Sequence, residues 1–297
     1  MSGVRLRWLG HSTAVLDAAG VRVVTDPVLR GALAHLRRRP PLPDPEHSAD
    51  PTLVLLSHLH HDHLDLPSLR RLRPRWVVAP PGSAAWLQGR LRGRGSAVAE
   101  VDVGRSVLVR DCPAGPLTVT ALPARHDGRR TLGRLTGAPA HALPVGHLVR
   151  LPGAFPARPA AEGGTDLLLW AVGDTGAFEG LAESVLAAAG RAPDVALVPV
   201  GGWGHTLGPH HLDPEQAAAL VVRVRPRVSV PVHWGTFAPA GLARTMGERW
   251  TAPGARFARA VRAAGVPGAV LLRPRAAVDL DALGAPRPRH PGGAQPF

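Results

Sequence analysis

The segment Ser57-His58-Leu59-His60-His61-Asp62-His63 places four of the chain's 15 histidines within six residues. Neutral imidazoles and a carboxylate are the donors that zinc and related divalent ions prefer. His58 and His60 are two apart, so an extended strand end points both rings the same way. Asp62 and His63 come after the chain has turned and can address a second point. The bland alternative is a polar surface loop or a chance histidine-rich tract. Against it stands the position of the cluster. It directly follows the continuous apolar run of residues 52–57, which reads as a strand buried on both faces. The ends of such strands are where α/β proteins put their sites.

Further elements must hold that segment in place. Residues 4–9, 13–17 and 21–25 read as short strands, with Gly20 turning the chain between the last two. Residues 37–51 read as a Pro-rich polar loop, residues 67–72 as a short helix and 76–79 as a strand. The pattern then predicts a helix over 82–94, strands over 98–103, 106–109 and 117–122, and a loop over 128–145. Strands over 146–151 and 167–172 follow, then a helix over 177–189 and a buried strand over 195–200. Asp213 sits as N-cap before a helix over 214–224, followed by a strand at 228–232, a helix at 254–265 and a last strand at 269–272. Strands come in two batches, each mixed with helices. That suits two sheets packed together and covered by helices. We expect one domain over residues 1–281 and a disordered tail over 282–297, rich in Pro and Gly.

Composition narrows the chemistry. The 297 residues contain no Lys, Tyr, Ile or Asn, four types with AT-rich codons, which points to a GC-rich genome. All 35 basic residues are therefore arginine, against 22 acids, for a net charge of +13. A lysine nucleophile or phosphate-loop lysine is excluded. The arginine content is no nucleic-acid signal in its own right. The lone Cys112 allows no intrachain disulfide. The first residues, MSGVRLRWLG, lack the apolar core of a secretion signal, and no apolar run approaches the roughly 18 residues of a membrane span. A cytoplasmic protein is expected on these grounds.

The H-x-H-x-D-H stretch resembles that of the metallo-β-lactamase-fold hydrolases. His126 in Pro123-Ala124-Arg125-His126, Asp174 in Gly173-Asp174-Thr175-Gly176 and His233 in Pro231-Val232-His233-Trp234-Gly235-Thr236-Phe237 match later parts of the same motif set, in order. Gly10-His11-Ser12-Thr13, Thr25-Asp26-Pro27-Val28, the run 194–201 and His211-Leu212-Asp213-Pro214-Glu215 resemble one branch. It contains the N-acyl-phosphatidylethanolamine phospholipase D and the L-ascorbate 6-phosphate lactonases. The resemblance covers about residues 4–275 and implies an α/β fold, an αββα sandwich with metals at one edge between the sheets.

The same resemblance implies a ligand set. His58, His60 and His126 would hold one divalent ion, Asp62, His63 and His233 a second, and Asp174 would bridge them. The ions implied are zinc first, manganese or iron second. A hydroxide shared by two ions about 3.5–4 Å apart would attack a phosphodiester. Asp62 and Asp174 thereby belong to the catalytic set. His211 would lie by the metals and help bind phosphate or leaving group, against the plain reading of a helix-entry residue. His205 would line the pocket. His11 and Asp26 would support the metal loop without ligating. Arg125, Arg129 and Arg130 flank a predicted ligand and suit bidentate phosphate contact, with a solvated loop as the alternative.

Cys112 is at no ligand position, which disfavours an antibiotic β-lactamase. His60 stands where diiron redox relatives carry glutamate, which favours hydrolysis. The leading expectation is a phosphodiesterase of phospholipase D type acting on a small anionic or lipid-like ester. The alternatives are a lactonase or esterase on the same metals, a nuclease, and a non-catalytic binding protein that kept the fold. No specific nucleic-acid partner is expected.

Overall fold

The computed structural model describes residues 3–130, 137–155, 165–204, 206–242 and 245–281. The expected tail over 282–297 and His205 lie outside the described residues.

The first batch of strands forms a seven-stranded sheet. It contains β1 (Arg5–Gly10), β2 (Thr13–Ala18), β3 (Val21–Thr25), β6 (Leu53–Leu55), β7 (Trp76–Ala79), β8 (Ala97–Glu100) and β16 (Ala277–Asp279). Its order is β16-β1-β2-β3-β6-β7-β8, antiparallel as far as β3 and parallel beyond it. The second batch forms a six-stranded sheet in simple sequence order. Its strands are β9 (Ser106–Val109), β10 (Leu117–Pro123), β11 (Val145–Leu151), β12 (Leu167–Ala171), β13 (Val195–Pro199) and β14 (Val228–Val232).

Alternation along the strands explains the layers. Leu6, Trp8, Leu16 and Val23 of the first sheet meet Val119, Val149, Leu169, Leu197 and Val230 of the second in one buried cluster. The other face of the second sheet, with Trp170 and Val198, is covered by α3 (Leu181–Ala189), α4 (Pro214–Val224) and α6 (Pro253–Ala263). The other face of the first sheet, with Val15, Val24 and Val54, lies under α1 (Leu66–Leu72) and α2 (Ala84–Arg90). The result is the expected helix–sheet–sheet–helix sandwich. Each fully buried Leu or Val in these layers contributes about 1.5–3 kcal/mol.

Caps set two of the helix starts. Asp65 accepts from Ser68 N at the head of α1, so the helix starts one residue before the expected Pro67. Asp213 and Gln216 form a reciprocal capping box on α4, as the Asp213 cap predicts.

Four expectations are corrected. Residues 269–272 make only an isolated bridge, Ser229 to Ala269, and the last strand is β16, which pairs with β1 through Arg5 and Asp279. Residues 37–51 are not all loop. Leu36–Arg38 is β5, which joins β4 (Ala32–Leu33) and β15 (Phe237–Pro239) in a three-stranded sheet. The helix expected over 177–189 starts only at Leu181, after Gly180 at φ +89°. The helix expected over 82–94 is α2, seven residues ending at Arg90 ahead of Gly93 and Gly95, both at positive φ. Ahead of α6 lies one further short helix, α5 (Gly247–Thr251).

Candidate metal centre

Loops that leave the ends of β1, β3, β6, β10, β12, β13 and β14 bring the site residues together at one edge of the sandwich. β1 delivers His11, β3 Asp26, β6 the segment 57–63, β10 His126, β12 Asp174 and β14 His233. The loop from β13 to α4 supplies Trp203 and His211. His11, Asp26 and His233 have φ of +50°, +35° and +64°, left-handed values that L-residues adopt at a cost. The His233 amide donates to His11 O at 2.9 Å, which ties the ends of the two sheets together at the site.

Glycines permit the close approach. A Cβ on Gly173 would lie 2.9 Å from Ser57 Cβ, and one on Gly176 would collide with Pro209 O. The Gly-Asp-Thr-Gly string is therefore a tight bracket around Asp174, pressed between the histidine segment and the loop before α4.

Each candidate imidazole has one nitrogen tied down and the other turned inward. His60 Nε2 donates to Arg129 O at 2.8 Å, and His126 Nδ1 to His210 O at 2.9 Å. His233 Nδ1 donates to Gly201 O at 2.8 Å, and His211 Nδ1 to Leu207 O at 2.8 Å. His63 Nδ1 donates to Asp26 Oδ2 at 2.8 Å. Asp26 in turn accepts from Ser57 N and Ser57 Oγ at 2.8 and 2.7 Å, and Ser57 Oγ lies 3.0 Å from His58 Nδ1. These partners select the tautomer and aim the free nitrogen, as the outer partners of metal-binding histidines do.

The inward atoms fall into overlapping groups. His58 Nε2 and His126 Nε2 lie 3.0 and 3.2 Å from His60 Nδ1. Asp174 Oδ2 lies 3.1 Å from His63 Nε2, 3.0 Å from His233 Nε2 and 3.5 Å from His211 Nε2. Asp62 Oδ2 lies 3.8 Å from His63 Nε2 and 3.6 Å from His233 Nε2. Sets of donor atoms that could share one ion are His58/His60/His126, His58/His63/Asp174, His11/Asp62/His63/His233 and His126/Asp174/His211.

The arrangement fits a cation. His63 Nε2, His233 Nε2 and Asp174 Oδ1 are buried without a well-directed hydrogen bond. Orphaned buried polar atoms are costly, and a cation held among His63, His233 and Asp174 would satisfy them. Without an ion, protons take that role. Burial opposes charge on His63 and His233, but Asp174 and the other nearby carboxylates outweigh it. His63 is held well above its ordinary value, and His233 is pushed up to about 9. Burial also opposes charge on Asp62 and Asp174, yet the facing histidines hold both well below the usual carboxylate range. Burial dominates elsewhere. It pushes His126 down to about 4 and His11 down to about 3, and holds His58 well below its ordinary value.

All the described site residues expected from the sequence meet here, with two refinements. His11 is closer to the donor atoms than a supporting role requires: its Nε2 is 2.8 Å from Asp62 Oδ2, within one of the donor sets. Asp26 supports His63 without entering any donor set. Of the three flanking arginines, Arg130 is corrected. It is buried, donates to Leu59 O and lies 5.8 Å over the Trp86 ring, so it braces the histidine segment and is not open to substrate. Arg125 and Arg129 are exposed. Residues that the sequence reading did not single out are Ser57, which links His58 to Asp26, and Trp203, whose Nε1 donates to Asp62 Oδ2 at 3.0 Å. Ser57 adjoins the motif and was findable there. Trp203 is 141 residues from Asp62, and its Gly-rich surroundings give no hint of the contact.

A two-sheet sandwich with a histidine–aspartate cluster at the strand ends is a candidate metal centre. Residues 21–234 match the family described as Beta-lactamase superfamily domain. The chain is 30% identical over 257 residues to N-acyl-phosphatidylethanolamine-hydrolyzing phospholipase D 1 of Caenorhabditis elegans, covering 80% of this chain and 65% of that protein's length. It is 30% identical over 243 residues to a UPF0173 metal-dependent hydrolase of Methanopyrus kandleri, covering 80% and 86% respectively. The fold is shared with Igni18, a metallo hydrolase from Ignicoccus hospitalis, at a TM-score of 0.64 and 22% identity over 93% of this chain and 97% of the other. The chain belongs to the metallo-β-lactamase superfamily of metal-dependent hydrolases. No helix among the described residues is long and apolar enough to cross a membrane.

Proposed function

We propose that this protein is a dinuclear metal-dependent phosphodiesterase of phospholipase D type. The observation that carries the reading is the convergence of His58, His60 and His126 on one point and of Asp62, His63 and His233 on another. The buried Asp174 is in contact with the second set and shares a further donor set with His126. On this reading the first three residues hold one ion, the second three hold the other, and Asp174 faces both. Zinc suits imidazole and carboxylate donors best, with manganese or iron as alternatives. When bound, two such ions supply Lewis acidity and lower the pKa of water toward neutrality.

The chain's own residues do the rest. Asp26, Ser57 and the carbonyls of Arg129, Gly201 and His210 hold the imidazoles in one tautomer. His211 Nε2 lies 3.5 Å from Asp174 Oδ2 on a quarter-exposed side chain, where it can contact a phosphate oxygen and pass a proton to the leaving oxygen as the P–O bond breaks. Exposed Arg125, next to His126, suits a second phosphate oxygen. The relation to the N-acyl-phosphatidylethanolamine-hydrolyzing phospholipase of Caenorhabditis elegans and the net charge of +13 both favour an anionic, lipid-like phosphodiester over a neutral ester.

The test is metal analysis of the purified protein, followed by assay of the metal-loaded protein on bis(p-nitrophenyl) phosphate beside a panel of lactones. Two metal equivalents with phosphodiester turnover are expected. Turnover of lactones alone would replace the proposed substrate class. Fewer than one metal equivalent together with no turnover would remove the enzymatic reading.

A further inference from the structure

The loop from β13 to α4 reaches more of the candidate ligands than any motif in it announces. Gly201 O accepts from His233, Leu207 O from His211 and His210 O from His126. All three are backbone contacts. Trp203 adds a side-chain contact. Its indole N–H donates to Asp62 Oδ2 at 3.0 Å. The same oxygen faces His11 Nε2 at 2.8 Å. Two N–H groups thus meet the oxygen of Asp62 that also lies 3.6 Å from His233 Nε2 and 3.8 Å from His63 Nε2.

Packing holds the indole in that pose. Its ring rests against Val28, Leu33, Leu36 and Phe237, the apolar cluster built by the three-stranded sheet. His35 meets it edge-on with centroids 5.3 Å apart. The small sheet, which lies outside the sandwich, thereby has a link to the metal centre.

We propose that Trp203 is a positioning residue, which holds Asp62 Oδ2 and so fixes the rotation of the carboxylate that faces His63 and His233. This rests on Asp62 being a ligand. A charge-neutral N–H donor on a ligating carboxylate fixes its rotation without competing for the ion, and such outer partners are worth about 10- to 100-fold in metal affinity.

The test is Trp203→Phe, which keeps the ring on its apolar bed and removes the N–H, with Trp203→Tyr made in parallel in case the first fails to fold. Metal affinities are measured by chelator competition, and the melting temperature of the metal-free protein is measured alongside. The expected result is that one of the two equivalents binds about 10- to 100-fold more weakly while the other keeps its affinity. The metal-free melting temperature should stay close to that of the parent. Unchanged affinity for both equivalents would overturn the inference and leave the metal reading intact. Equal weakening of both equivalents with a lowered metal-free melting temperature would also overturn it, since that is the signature of a purely structural role. A parent protein that binds no metal would remove the ligand reading itself, and the inference with it.

Discussion

The two proposed ion positions differ in burial and in charge. His58, His60 and His126 form a half-open group of three imidazoles with no carboxylate among them, and His60 and His126 are only partly buried. His11, Asp62, His63 and His233 form a fully buried group, with Asp174 in contact with two of its histidines. Desolvation is therefore the largest influence on the first group and favours its neutral imidazoles. In the second, carboxylates beat desolvation and keep protons on His63 and His233. An ion entering the first position meets free lone pairs. An ion entering the second must displace protons, and gains two carboxylate neighbours in return.

The largest effect should come from the residue that faces both positions. Asp174→Ala is expected to lose metal at both and to lower kcat/KM by more than about 100-fold, beyond the range seen when only an outer partner is removed. Full metal content and activity in that variant would break the two-position scheme.

The pH dependence should separate the positions next. Calorimetry in buffers of different ionisation enthalpy should show proton release for one equivalent and little for the other at pH 8. The part of that release owed to His233 should fall away as pH rises through about 9. The metal-free fold should feel both groups with opposite signs. His63 and His233 have raised values, so their contribution is complete below the unfolded value of about 6.5 and is lost as pH rises. For His233 that loss is complete as pH passes about 9. His126 has a lowered value, so its contribution is lost as pH falls from about 6.5. The loss is complete near 4. His147, buried between the sheets and also pushed down to about 4, adds to the same acid limb. A melting temperature of chelated protein that rises monotonically with pH would contradict this picture.

A subtler variant sharpens the comparison. Asp26→Asn keeps an acceptor for Ser57 N but replaces the carboxylate oxygen that receives the His63 Nδ1 proton. We expect about 10- to 100-fold weaker binding at the second position and a smaller change at the first, read by chelator competition. The smallest effect on either position should come from Leu169→Ala, deep between the sheets. It should cost about 2–5 kcal/mol of stability in denaturant unfolding and leave metal affinity unchanged.

Legibility from sequence followed the same division. The strands buried on both faces, such as β13 and β14, announce themselves as unbroken apolar runs, and the α4 start is announced by Asp213. β16 does not, because Ala277-Val278-Asp279 is short and half polar and exists only by pairing with β1. The three-stranded sheet is not legible in the sequence for the same reason, since its strands are two or three residues long. At the site, His58, His60, Asp62 and His63 were readable from local spacing, and His126, Asp174 and His233 from matching strings at strand ends.

The sequence by itself determined the donor types, their order and the layered fold, because those depend on residue identity and on local alternation of apolar positions. Only the tertiary structure decided which nitrogen of each histidine turns inward, that Arg130 is a brace, that His11 and Trp203 share one oxygen of Asp62, and that one donor group is half-open while the other is buried beside carboxylates. These depend on distances between residues far apart in the chain, and on how much water each is denied. No local pattern encodes either quantity.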